Sequence, residues 1–246
     1  MKECKKIDNL NAPEARSKDL ALFLYLYSQY SNIKQYYSLY DIITSKEVSL
    51  VKIYNHLDDN ILKEIVDVLN NDGLIIFPTD TVYGIACNSY SDKAIKKLFT
   101  AKKRDLNKPI NVLTDSISII DMMVESINDK ERELMNKYFP GNLTIIFNKK
   151  EHVSNILTSN KPTIGIRIPD NEIALKILSS YPYPLATTSA NISGESNGTK
   201  LADFIDNFKD SVDIIIDGGI TTNIPSTIIR VENKEIKVLR EGSLKI

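Results

Sequence analysis

Apolar residues recur along this chain with two periods, and from residue 50 onward segments of each kind follow one another. Residues 58–72 carry Ile61, Leu62, Ile65, Val66 and Leu69 at the three-and-four spacing of a helix face, and Asn71-Asp72-Gly73 supplies a stop. The apolar run at 74–77 predicts a buried strand. Ser91 or Asp92 caps a predicted helix that turns Ala94, Ile95, Leu98 and Phe99 inward. Residues 109–114 predict a strand, and 116–138 predict helical segments whose division the pattern leaves open. Strands are predicted at 143–147, 163–168 and 184–188, with a helix at 171–180. A helix at 201–208 precedes the apolar run 212–216, which stops at Asp217-Gly218-Gly219. Strands at 226–231 and 236–240 close the chain. Strict strand–helix alternation is absent and some strands have short links. The expected class is therefore α/β with a mixed sheet and flanking helices, not a doubly wound parallel one.

Residues 1–49 read differently. They hold six of the twelve tyrosines and no glycine. Ser17 caps a predicted helix through Leu20, Phe23, Leu24 and Tyr27, and a second short one is predicted at 36–43. The expectation is a helical N-terminal extension, either resting on a main domain at 50–246 or serving as a partner-docking arm.

Composition narrows the function classes. With 31 Lys+Arg against 32 Asp+Glu, the 246-residue chain carries a net charge of −1. That excludes bulk electrostatic adhesion to nucleic acid or membrane, though not a local basic cleft. Two cysteines supply neither a disulfide framework nor a thiolate cluster, and two histidines exclude a multi-histidine metal site. The longest apolar stretch, 20–27, falls far short of the roughly 20 residues a membrane span needs. No secretory leader is visible, so a cytoplasmic protein is expected.

Four stretches bear on chemistry. The apolar run at 74–77 ends in Pro78, then delivers Thr79, Asp80, Thr81 and Tyr83 ahead of Gly84. "FTAKKRDLNKP" sets Lys102, Lys103, Arg104 and Lys108 at a helix end, where they complement the helix dipole or form a bed for polyphosphate. In "PTIGIRIPD", Ile164, Ile166 and Ile168 fall on one strand face, leaving Thr163, Gly165 and Arg167 on the other. A mid-strand arginine opposite an apolar face needs an anion or open solvent, and Gly165 leaves room beside it. "PLATTSANISGESNGT" gathers Thr187, Thr188, Ser189, Asn191 and Ser193, either as a self-satisfied turn or as a second set of ligand groups. No nucleophile elbow, Cys–His pair or Walker loop is present. An oxyanion-rich site of this kind works by positioning and charge neutralisation, as in nucleotidyl transfer.

The ordered set FPTDTVYG, KKRDLNKPINVL, FPGNLT, TIGIRIPD, ATTSANISG, PSTII and LREG resembles the YrdC family of threonylcarbamoyl-AMP synthases over roughly residues 55–246. The resemblance implies a twisted mixed sheet around a concave basic cavity. It implies formation of threonylcarbamoyl-AMP and pyrophosphate from L-threonine, bicarbonate and ATP, with Mg2+ accompanying ATP and no tightly bound cofactor. A separate transferase complex would then modify tRNA. Carried over by position, Thr79, Asn111, Arg167, Thr187 and Ser226 would bind threonine. Lys102 and Arg104 would act in catalysis. Lys102, Leu106, Thr163, Ser189, Asn191, Asn197 and Arg240 would bind ATP. On this reading Arg167→Ala weakens threonine binding with the fold intact, and Lys102→Ala impairs ATP use.

Asp105 stands where the family has proline, and Asn142 and the 195–199 loop also depart from its pattern. The chain looks like a short form that ends soon after Arg240-Glu241-Gly242. A catalytically inactive RNA-binding or regulatory module, with weak RNA binding, is the alternative. A unit of hydrogenase maturation is more distant, because its acylphosphatase and zinc-finger regions are missing.

Overall fold

The computed structural model describes residues 51–246, so the helices expected within 1–49 lie outside the described residues. In chain order the elements are β1 (Lys52–Tyr54), α1 (Asp59–Asn70), β2 (Ile75–Phe77), β3 (Gly84–Asn88), α2 (Asp92–Ala101) and β4 (Asn111–Leu113). Then come α3 (Ile117–Met123), α4 (Asp129–Tyr138), β5 (Leu143–Asn148), β6 (Thr163–Arg167), α5 (Glu172–Ser180) and β7 (Leu185–Ser189). A 3-10 turn at Leu201–Asp203, α6 (Ile205–Phe208), β8 (Ile214–Ile216), β9 (Thr227–Glu232) and β10 (Glu235–Arg240) complete the chain.

The ends of α1 follow from its sequence. Asp58 accepts from the backbone N–H groups of Asn60 and Ile61, and beyond the helix Asp72 takes a left-handed turn at φ 59. Its stripe Ile61, Ile65 and Leu69 is buried, each such side chain contributing about 1.5–3 kcal/mol relative to exposure. Ser91 caps α2 through the Ala94 N–H, and Asn128 with Glu131 forms a capping box on α4, which divides the 116–138 region. The helix expected at 201–208 is broken at Phe204 into the 3-10 turn and α6.

All ten strands form one sheet in the order β1-β8-β2-β3-β7-β4-β6-β5-β9-β10. It is mixed: β1/β8, β2/β8, β4/β6 and β5/β9 are parallel, and the other neighbours are antiparallel. Residue parity assigns the two faces. Ile76, Ile85, Val112, Ile145, Ile164, Ile166 and Ile229 enter one core with α2 and α4. Ile75, Phe77, Leu113, Leu185, Ile214 and Ile216 enter a second with α1 and α5. Farther along that face, Asn111 of β4 and alternate residues of β7, β6, β5 and β9 line the cavity instead.

Candidate active site

The cavity has a volume of about 630 Å³. Its floor is built by every second residue of adjacent strands: Thr187 and Ser189 of β7, Asn111 of β4, Thr163 and Arg167 of β6, Thr144 and Ile146 of β5, and Ile228 of β9. Thr79 and Thr81 close one side, from the loop between β2 and β3. Six cations line it, Arg104, Lys108, Lys161, Arg167, Arg230 and Arg240, and no Asp or Glu does. In a chain of net charge −1 this is charge segregation, and it suits an anionic ligand.

Two glycines admit the floor side chains. A Cβ on Gly84 would stand 2.8 Å from Thr187 Cγ2. One on Gly165 would overlap Asn111 Oδ1 and stand 2.9 Å from Ile146 Cδ1, so the Asn111 amide lies where only glycine leaves space. Gly165→Ala is expected to displace Asn111 and to cost about 1–3 kcal/mol of stability through overpacking, which urea denaturation checks.

The Thr-Asp-Thr-Val-Tyr loop divides its labour. Thr79 Oγ1 donates to Val82 O at 2.7 Å and accepts from the Val82 N–H, holding the turn. Tyr83 points away from the cavity. Its hydroxyl donates to Gly219 O at 2.7 Å and accepts from Gly218 N–H, and burial pushes its pKa up to about 12. Asp80 and Thr81 serve Arg167, which is 5% exposed. Its guanidinium is ion-paired with Asp80 Oδ1, and it donates to Thr81 Oγ1 at 2.9 Å and Gly141 O at 2.8 Å. The anion that Arg167 needs is thus supplied first by the chain itself. Burial lowers the Arg167 pKa and Asp80 opposes that shift. Asp80 Oδ2 is buried without a hydrogen-bond partner among the described residues.

At the cavity's edge, Arg240 donates through Nε and Nη2 to Ser226 O, and through Nη2 to Ser226 Oγ at 3.1 Å. Burial lowers its pKa, and the charge on Arg167 adds to that. An anion bound between the two would relieve both. Arg104 is held by two carbonyls, Nε donating to Lys108 O at 3.0 Å and Nη2 to Pro109 O at 2.8 Å.

Ten of the residues assigned by resemblance line the one cavity: Thr79, Asn111, Arg167, Thr187, Ser226, Arg104, Thr163, Ser189, Asn197 and Arg240. Three do not. Lys102 is 1% exposed and lies behind the wall, where its ammonium donates to Ser189 O and to Asn191 Oδ1 at 3.0 Å. Burial and the nearby Arg104 lower its pKa to about 7. Asn191 joins that buried knot, accepting from Ser189 Oγ at 2.6 Å and donating to Glu195 O. Leu106 is 60% exposed and lies in a separate shallow apolar hollow with Phe99 and Ile156. Lys103 takes φ 50 just after α2, and Asp105 and Leu106 beyond it are exposed, while Asn107 returns to the cavity wall. Asp105 is exposed too; its carboxylate accepts from the Asn107 N–H and is not part of the cavity wall.

Asp80, Thr81, Thr144, Lys108 and Lys161 were not assigned to the site from sequence. The need of a buried arginine for a carboxylate was the available signal for Asp80. Nothing in the local pattern marked Lys161. Among the described residues no cluster of His, Cys, Asp and Glu could hold a metal ion, and no helix is long and apolar enough to cross a membrane.

Comparison with known proteins gives the same direction. A family profile named Sua5, YciO and YrdC, described as telomere recombination, matches residues 67–242. A Methanocaldococcus jannaschii protein, whose name gives threonylcarbamoyl-AMP synthase as an inferred activity, is 37% identical over 202 residues, covering 80% of this chain and 94% of its own. The threonylcarbamoyl-AMP synthase of Pyrococcus abyssi is 33% identical over 174 residues, 70% of this chain and 51% of that one, so the chain spans about half its length. The crystal structure of P. abyssi Sua5 complexed with L-threonine superposes with a TM-score of 0.75 at 30% identity, covering 79% of this chain and 57% of that chain. With the profile spanning most of the described residues and the sheet shared, the chain belongs to the Sua5–YciO–YrdC family.

Proposed function

We propose that the chain is an L-threonylcarbamoyladenylate synthase, joining L-threonine, bicarbonate and ATP with release of pyrophosphate. One observation carries the reading: a single hollow, free of acidic side chains, gathers two sets of groups, Arg167, Thr79 and Ser226 as the first and Arg104 and Ser189 as the second. The first group suits a small zwitterion and the second a phosphate chain. The relatives' name and the threonine complex of P. abyssi Sua5 support it.

In this reading the threonine carboxylate lies against Arg167 and Arg240. Its amine adds to carbon dioxide derived from bicarbonate, giving a carbamate and releasing a proton. A carbamate oxygen attacks the α-phosphorus of ATP in line, and the bond to pyrophosphate breaks. Arg104, fixed by two backbone carbonyls, is pre-aimed at the charge that grows on the phosphate oxygens. Lys102 acts at one remove, holding Ser189 and Asn191 in place. The lining offers hydroxyl and amide oxygens but no carboxylate, so it does not fit a protein-held metal. Magnesium would enter bound to the triphosphate, supplying charge neutralisation there. The adenylate would pass to a transferase complex acting on tRNA.

The inactive-module alternative has two supports, Asp105, which is exposed and does not line the cavity, and the N-terminal arm, which lies outside the described residues. Incubation with ATP, magnesium, bicarbonate and labelled threonine is expected to release pyrophosphate only when threonine is present. Folded protein giving no release above background would overturn the proposal.

A further inference from the structure

We propose that the apolar hollow at the end of α2 is a docking site for an acidic segment of a partner protein. The segment would seat one large aliphatic or aromatic side chain there, and its carboxylates would meet the lysines at the rim. Arg104 lines both this hollow and the cavity, so the partner would stand against the cavity wall. The docking does not depend on the activity proposed above; only its use, to receive the adenylate, rests on that reading.

The hollow has a volume of about 410 Å³, and its apolar lining is Phe99, Ile156 and Leu106. Leu106 is 60% exposed, and covering such a side chain fully contributes about 1.5–3 kcal/mol. The one uncharged polar side chain in the lining is Thr100, and its hydroxyl already donates to Lys96 O at 3.0 Å. A small polar metabolite needs several directed groups to fix its orientation, and this lining does not offer them. An apolar side chain needs none.

Charge selects the partner. The charged residues of the lining are Lys96, Lys103 and Arg104, with no Asp or Glu among them. Arg104 is held by two carbonyls, whereas Lys96 and Lys103 are exposed and enter none of the ion pairs among the described residues. Beyond Asp92, α2 carries no acid, and Lys93, Lys96 and Lys97 are exposed along it. In a chain of net charge −1, a cationic rim around an apolar patch complements an apolar side chain flanked by carboxylates. Single-stranded nucleic acid is the other polyanion, but it holds such surfaces by stacking bases on open aromatic faces. Phe99 is the one ring in the lining, and it is 3% exposed.

The test is fluorescence anisotropy on the full chain, without substrates. The probes are a short labelled peptide of aspartates and glutamates around a central leucine–phenylalanine pair, and three controls. One control has serine for the apolar pair, one has lysine for the acids, and one is an oligouridine of equal charge. The first peptide is expected to bind about tenfold or more tighter than each control. Leu106→Asp should weaken it by about tenfold or more. Lys96→Glu combined with Lys103→Glu should weaken it similarly, by a factor that shrinks as salt rises. Both variants replace exposed side chains and should keep the wild-type melting midpoint, which separates lost docking from lost folding. Equal binding of the leucine–phenylalanine and serine peptides, tighter binding of oligouridine, unchanged affinity in Leu106→Asp, or no binding of any probe would overturn the proposal. So would self-association in sedimentation that Leu106→Asp abolishes, because the hollow would then belong to a second copy. A wild type that takes the peptide yet releases no pyrophosphate would count against the proposed activity alone, since the anisotropy needs no turnover.

Discussion

Arg167→Ala is expected to lose about 3–5 kcal/mol of folding stability as well as threonine binding. The fold-intact outcome expected from the apolar face of its strand leaves out what the guanidinium does. It neutralises Asp80, a carboxylate with one oxygen already unsatisfied, and it ties the 79–83 loop to the Gly141 carbonyl. Removing it leaves a buried charge with no partner, and that penalty exceeds the net contribution of the intact pair. The double variant Asp80→Asn with Arg167→Ala should recover part of the loss, because the stranded charge is gone, while threonine binding stays absent. Urea midpoints for the two single variants and the double give the coupling directly. An Arg167→Ala protein as stable as wild type would show that the pair carries no structural weight.

A second large effect is in pH. Lys102 has its pKa lowered to about 7 in the folded chain, against an ordinary lysine value of 10.5 in the unfolded one. Between those values the unfolded chain holds a proton that the folded chain has released, so stability rises with pH across that window. The slope from this one group approaches 1.4 kcal/mol per pH unit at most. The gain is absent below pH 7, where both states are protonated. Lys102→Met should remove the slope, so the difference between wild type and variant, measured by urea denaturation from pH 7 to 8.5, is the readout. Parallel curves would mean that the ammonium is not held in a desolvated position. The same variant should raise KM for ATP, since Ser189 O and Asn191 Oδ1 lose their donor and the loop beyond β7 loses its anchor.

How far the sequence could be read depends on the length over which each pattern repeats. The α1 and α2 stripes, with caps at Asp58 and Ser91, are legible because a helix face repeats over several turns. Strand β6 was equally plain, since three isoleucines alternate with Thr163, Gly165 and Arg167. Strand β3 was missed. Its Gly-Ile-Ala-Cys-Asn is short, small and buried, and it follows directly on a polar loop, so neither period shows. Strand β1 has three residues, mostly exposed, and offers no period at all. Motif resemblance brought ten site residues to one cavity, but resemblance carries position along the chain and not the direction a side chain takes. Lys102 shows the difference. Its neighbours in space are fixed by where α2 stops, and that is set by the left-handed turn at Lys103 rather than by any local signature.

Because the hollow is floored by alternate residues of strands whose other residues fill a core, substrate preference and folding are written in interleaved codons. On the proposed activity, a library that varies only 144, 146 and 228 would retune which amino acid is accepted while the packed layer beneath stays untouched. A single-residue insertion in β5 or β6 would do the opposite, turning isoleucines into the hollow and threonines into the core at one stroke.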